Sequence, residues 1–146
     1  MGPLIRGAEP EAITALRELT FRSKAHWGYD RELVARWADG LGFDGVRERW
    51  VAERDGEIVA WAALIPPAGG VCVLDDLWVD PPWIGHGLGT RLFRLAADRA
   101  RELGAARLEW GAERHALGFY EKLGGRCLRT HVTEWGREGE WWGIDL

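Results

Sequence analysis

Ile13, Leu16 and Leu19, followed by Thr20, recur at three- and four-residue intervals, which is the spacing of one buried helix face. Glu9-Pro10-Glu11 supplies the proline and acids that favour a helix start, and the pattern predicts a helix ending near Arg22. Leu4-Ile5-Arg6 before it reads as a short strand. Ser23 to Tyr29 interrupts the periodicity, and Asp30 is placed to cap a second helix carrying Leu33, Val34 and Trp37, ended by Gly40 and Gly42. Two strand-like runs, Val46 to Glu53 and Ile58 to Ile65, flank Arg54-Asp55-Gly56-Glu57, whose Asp-Gly is a hairpin signal. Pro66 to Gly70 predicts a turn, and Val71 to Val79 another strand, stopped by Pro81-Pro82. Leu88, Leu92, Leu95, Ala96, Arg99 and Leu103 trace a helix face up to Gly104. Arg107 to Trp110 reads as a short strand and Ala116 to Leu123 as a short helix ended by Gly124-Gly125. Arg126 to Thr133 and Trp141 to Leu146 close the chain as strands around Gly136-Arg137-Glu138-Gly139. The order β-α-α-β-β-β-α-β-α-β-β is an α/β (α+β) layout, with helices on a mixed sheet.

Composition narrows the function classes. With 146 residues, 47% apolar and 29% charged, the chain has the profile of one globular domain over residues 1–146. No repeat, linker or charge block divides it. A net charge of −4 disfavours nucleic acid as partner, because phosphate neutralisation needs a basic surface. No apolar run reaches the length of a membrane span and the first residues lack a signal-like core, so no membrane partner and a cytoplasmic location are expected. Cys72 and Cys127 sit in apolar stretches without ligand spacing and read as buried reduced thiols; no metal site is expected. Ten tryptophans are spread along the chain. Most are expected in the core or sheet, with a minority lining a pocket for an organic ligand.

The densest chemical signal is Leu77-Trp78-Val79-Asp80-Pro81-Pro82-Trp83-Ile84-Gly85-His86-Gly87-Leu88-Gly89-Thr90. Three alternating glycines between a strand and an amphipathic helix let backbone N–H groups point outward. The helix adds its unpaired first-turn donors and positive end, so an anion such as pyrophosphate fits. The spacing is not the dinucleotide fingerprint, and no Gly-Lys-Ser/Thr follows, so a nucleoside-triphosphate loop is unsupported. A plain tight turn is the competing explanation.

Leu-x-Val-x-Pro followed by Gly-x-Gly-Leu-Gly-x-x-Leu resembles the acyl-CoA loop of the GNAT superfamily of N-acetyltransferases. The resemblance implies the GNAT fold: a central mixed, mostly antiparallel sheet with a splayed strand pair and helices on both faces. It also implies acetyl-CoA as co-substrate, with Leu77, Trp78 and Val79 along the pantetheine arm. Ile84, Gly85, His86, Gly87, Leu88, Gly89 and Thr90 would then hold the phosphates. Ile84 stands where the family usually has Arg or Gln, a loss that His86 would have to offset.

His115-Ala116-Leu117-Gly118-Phe119-Tyr120-Glu121-Lys122-Leu123-Gly124-Gly125 resembles a second family element, with Glu113 in place of an Asn and Gly125 in place of a closing aromatic. By resemblance Tyr120 faces the CoA sulfur as general acid. The chemistry is suitable, because aminolysis of a thioester expels a thiolate to which a phenol can supply a proton. Taken alone, Tyr120 would read as a helix aromatic with its hydroxyl at the surface, and Phe119 as core.

For the acceptor, the adjacent Asp75 and Asp76 precede the cofactor strand segment, and two acids in an apolar strand are costly to bury unpaired. Polyamine acetyltransferases are similar in carrying two acids here. The resemblance makes Asp75 the candidate base and Asp76 the candidate amine ligand, with structural salt bridges as the alternative. Ser23-Lys24-Ala25-His26-Trp27-Gly28-Tyr29 resembles a string found in some bacterial GNAT proteins, where this connection walls the acceptor site. His26 is a candidate base or ligand and Trp27 and Tyr29 candidate walls or cation–π faces, against a simple packed loop. His115 and His131 are assigned structural or exposed roles. The expected activity is direct acetyl transfer from acetyl-CoA to a primary amine of a small molecule. The alternatives are a protein amine or a non-catalytic acyl-CoA sensor. Trp141-Trp142 suggests either an exposed patch for a homodimer or packing within the last strand.

Overall fold

The structure, a computed structural model, describes residues 2–133, 136 and 138–146, so Arg137 of the expected final turn, and Trp135 before it, lie outside the described residues. The strands are β1 (Leu4–Gly7), β2 (Glu48–Arg54), β3 (Glu57–Ala68), β4 (Val71–Val79), β5 (Arg107–Ala112), β6 (Arg126–Val132) and β7 (Glu138–Asp145). They form one sheet in the order β1-β2-β3-β4-β5-β7-β6. Every neighbouring pair is antiparallel except β4 and β5. The helices are α1 (Ile13–His26), α2 (Arg31–Asp39), α3 (Leu88–Glu102) and α4 (Leu117–Lys122).

Helices cover both faces of the sheet, and β3 shows why its sequence is a nearly continuous apolar run. Trp61 and Ala63 meet Leu16 and Leu19 of α1 on one face. Ala60, Ala62 and Leu64 meet Leu92, Ala96 and other α3 residues on the opposite face. Asp55 and Gly56, both at positive φ, make the two-residue hairpin expected of Asp-Gly. The Asp30 carboxylate accepts the Leu33 N–H at 3.0 Å, capping α2.

Three local expectations are corrected. Helix α1 does not end near Arg22 but continues to His26, because Ser23 and Lys24 prolong the buried face of Leu16, Leu19 and Thr20 at helical spacing. Strand β3 runs through Pro66 and Pro67, which lie within a register irregularity between Ile65 and Ala68 where no ladder N–H is required. Cys72 is buried as expected, but Cys127 is exposed on β6.

Two features of β4 create the site. First, Ala63 pairs with Asp76 while Leu64 pairs with Leu74, which leaves Asp75 as the extra residue of a β-bulge. The bulge inverts the strand's alternation. Cys72 and Leu74 belong to the α3-side core, and after the bulge Leu77 and Val79 do so too. Trp78 consequently packs on the α1 side. Second, β4 and β5 pair only from Val71 to Val73 against Arg107 to Glu109. Beyond that point the strands diverge, leaving a gap in the middle of the sheet.

Candidate active site

The gap opens into a cavity of about 1030 Å³ lined from both sides of the split. Along its β4 wall, the Asp80 N–H bonds the Val59 carbonyl at 2.9 Å. The alternation of an antiparallel ladder then directs the main-chain groups of Leu77 and Val79 away from β3, toward the gap. An extended amide-bearing ligand can pair with that edge as an added strand would.

At one end of the gap, Gly85 and Gly87 adopt φ of 85° and 83°, a region that other residues enter only with strain. Gly87 is the N-cap of α3. The helix ladder begins with the Arg91 N–H bonded to the Gly87 carbonyl at 3.1 Å, so the N–H groups of Leu88, Gly89 and Thr90 have no partner within the helix. Gly89 is crowded for a different reason. A Cβ there would fall 3.2 Å from the Phe119 ring. These features make a cradle for a phosphate anion, and the residues present fit a CoA pyrophosphate. Ile84 lines the cavity and His86 does not; the His86 ring lies 5.6 Å from that of Trp83. His86 is therefore not placed to replace the missing polar residue.

Asp76 and Tyr120 face the cavity from its two walls. Asp76 is only 8% exposed and accepts the Trp78 indole N–H at 3.0 Å. Burial pushes its carboxyl up to about 6, against the opposing pull of that hydrogen bond. Asp75, on the bulge, is instead held by Arg47 at 2.9 Å and is exposed. The candidate-base assignment therefore moves from Asp75 to Asp76. The desolvated carboxyl is the one poised near neutrality, and the exposed one is already ion-paired. Tyr120 is 7% exposed and packs among Phe93, Trp110 and Phe119. Burial, with a contribution from the Glu113 charge, pushes its phenol well above the ordinary value. Gly125 is small for a reason, because a Cβ there would lie 2.9 Å from the Trp110 ring. Trp110 fills the space that a closing aromatic would need.

The acceptor end holds a cluster in which sequence reasoning missed Lys24 and Glu113. Lys24, 2% exposed, donates to Glu113 Oε1 at 2.7 Å. Its ammonium lies 4.4 Å from the Tyr29 ring, 4.9 Å from Trp37 and 5.5 Å from Trp78. The Tyr29 hydroxyl donates a hydrogen bond to Glu113 Oε2. Burial would raise the Glu113 carboxyl, but Lys24, Tyr29 and His115 outweigh it and leave Glu113 below the usual range. The Trp27 ring stacks on His115, with centroids 4.1 Å apart and planes 7° from parallel. His115 lines the cavity while remaining exposed, as expected, and its partial desolvation keeps the imidazole below the ordinary value despite Glu113. Trp27 and Tyr29 line the cavity as expected. His26 is exposed, meets Trp27 edge-on and is not among the lining residues, so it is no longer a candidate base.

The tryptophans divide as expected between core and pocket. Trp61, Trp110 and Trp142 are buried, and Trp27, Trp37, Trp78 and Trp83 line the cavity. The indole of Trp141 donates to Glu109 at 2.6 Å, so Trp141-Trp142 packs within β7 rather than forming an exposed patch. Among the described residues no helix is long and apolar enough to cross a membrane.

Comparison with known proteins agrees with this geometry. The uncharacterized N-acetyltransferase YjgM of Escherichia coli is 36% identical over 81 residues, covering 51% of this chain and 48% of that protein, so the match spans about half the length of this curated relative. The structure of the PaiA N-acetyltransferase from Thermoplasma acidophilum, in complex with coenzyme A, superposes over 100% of both chains with a TM-score of 0.81 at 16% identity. Nourseothricin acetyltransferase superposes with a TM-score of 0.77 at 17% identity, over 99% of each chain. At such identities these likenesses establish the fold alone. The model of the acetyltransferase (GNAT) family matches residues 11–125, and the chain belongs to that family.

Proposed function

We propose that the protein transfers the acetyl group of acetyl-CoA directly to a primary amine of a small, cationic molecule. The observation that carries this reading is the split between β4 and β5. It joins an anion cradle at the start of α3 to a cavity with a buried carboxyl on one wall and a buried phenol on the other. Bound acetyl-CoA would supply the activated thioester. Leu88, Gly89 and Thr90 bind its pyrophosphate through their N–H groups, and Leu77 and Val79 align its pantetheine amides.

Asp76 accepts the proton of the incoming ammonium, directly or through water. A base with a value of about 6 is largely ionised at neutral pH yet still able to take a proton. The Val79 N–H donates to the carbonyl oxygen as charge builds there, and Tyr120 delivers a proton to the departing sulfur. A phenol raised well above its ordinary value stays protonated throughout the working range. Beyond Asp75 and Glu113, which Arg47 and Lys24 already pair, the acids Asp76, Glu138 and Glu140 line the same cavity, which favours a cationic acceptor. A volume of about 1030 Å³ suits a small one alongside the pantetheine arm.

Trp78 and Trp83 border the cavity, so intrinsic fluorescence reports the co-substrate. Titration with acetyl-CoA should give a saturable change. Its absence at millimolar ligand would defeat the proposal.

A further inference from the structure

Two short segments far apart in sequence meet across the open end of the split sheet. On one side stand Lys24, Trp27 and Tyr29, on the last turn of α1 and just beyond it. Helix α1 belongs to the β4 side: it packs on β3 and β4, and its Arg22 holds Asp80 through two hydrogen bonds of 3.1 and 3.0 Å. On the other side stand Glu113 and His115, between the end of β5 and α4, the helix that carries Tyr120. Among the described residues, the contacts that join the two segments include Lys24 to Glu113 at 2.7 Å, Tyr29 to Glu113, and Trp27 stacked on His115 at 4.1 Å. They lie where β4 and β5 no longer share a ladder.

A buried ion pair contributes little to stability, because desolvation offsets its attraction. Stability alone therefore gives no reason to place a lysine at 2% exposure. Geometry does. The carboxylate of Glu113 is used at both oxygens, by an ammonium and by a phenol, and this fixes the direction in which the chain leaves β5. The Glu113 carbonyl then accepts the Ala116 N–H at 2.9 Å, which starts the turn leading into α4. The orientation of Tyr120 is thereby connected to α1.

We infer that Lys24 is a positioning residue. With Glu113, Tyr29, Trp27 and His115 it forms a clasp that sets the separation between the Asp76 wall and the Tyr120 wall. The geometric part stands on the contacts above, and the kinetic part rests on the acetyl-transfer reading.

The test uses the full chain with Lys24→Met, Glu113→Gln and the double variant, read by steady-state kinetics, thermal melting and amide hydrogen exchange. Lys24→Met should lower kcat about tenfold or more while the KM for acetyl-CoA stays within about threefold, since the phosphate cradle is untouched. Amides of Gly111, Ala112 and α4 should exchange faster, with β3 unchanged. The double variant leaves no unpaired charge, so its melting temperature should return close to wild type while kcat stays low. A kcat recovered together with the melting temperature would overturn the inference, as would a folded Lys24→Met with wild-type kcat and exchange. A wild-type protein that transfers no acetyl group would refute the proposed function instead. The exchange rates would still decide whether the clasp exists.

Discussion

Asp76 and Tyr120 are both removed from water, and the same desolvation suits them to opposite tasks. Burial brings Asp76 to about 6, where it can accept a proton at neutral pH, and keeps Tyr120 protonated so that it can donate one. The rate with a saturating amine should rise with pH through an apparent value near 6, and Asp76→Asn should abolish that limb as well as most of the rate. The same substitution should stabilise the protein. Folding raises the Asp76 value above the ordinary aspartate value of 3.8, so the folded chain holds this proton more tightly than the unfolded chain. That contribution to stability is complete below about pH 4 and is lost as pH rises through 6. It amounts to about 3 kcal/mol. Asp76→Asn should therefore unfold at higher denaturant than wild type near pH 8, with the difference shrinking near pH 4; an unchanged midpoint at both would show that Asp76 is not desolvated. Tyr120→Phe should lower kcat by roughly 10- to 100-fold with little change in the KM for acetyl-CoA. An equal loss of co-substrate affinity would point to a packing role.

At the scale of elements, the loop into α3 was legible in the sequence because its glycines are local. Gly85 and Gly87 are spelled out by the positive φ they adopt, and the amphipathic helix follows at once. Gly87→Val should strain that turn and raise the dissociation constant of acetyl-CoA at least about tenfold in the fluorescence titration, because a β-branched residue is poorly tolerated at φ of 83°. The bulge at Asp75 was not legible, since it exists only in the register of β4 against β3. Assuming strict alternation, the sequence distinguishes the two aspartates but not which one is buried. Lys24 was missed for a related reason. Its polarity suggested that the helix had ended, although its position eight residues beyond Leu16 continues the buried face. Its partner Glu113 lies 89 residues away, a pairing that no local pattern announces.

For the whole molecule, the β4–β5 ladder stops at the split, one apolar core joins the two halves beneath it, and a ligand seated in the gap would add contacts to both. Acetyl-CoA at about 100 times its dissociation constant should therefore stabilise the fold by about 2.7 kcal/mol, a rise in melting temperature of roughly 5 to 10 °C. Thermal melts with acetyl-CoA and with free adenine nucleotide would check this; equal shifts would place the binding energy outside the gap. The most direct test of the account is acetyl-CoA-dependent release of free thiol by the wild-type protein against a panel of small primary amines, with Asp76→Asn and Tyr120→Phe in parallel. The account predicts thiol release that requires an amine, is fastest with cationic acceptors and falls in both variants. Thiol release that is independent of any amine, or none from a protein that binds acetyl-CoA, would contradict it.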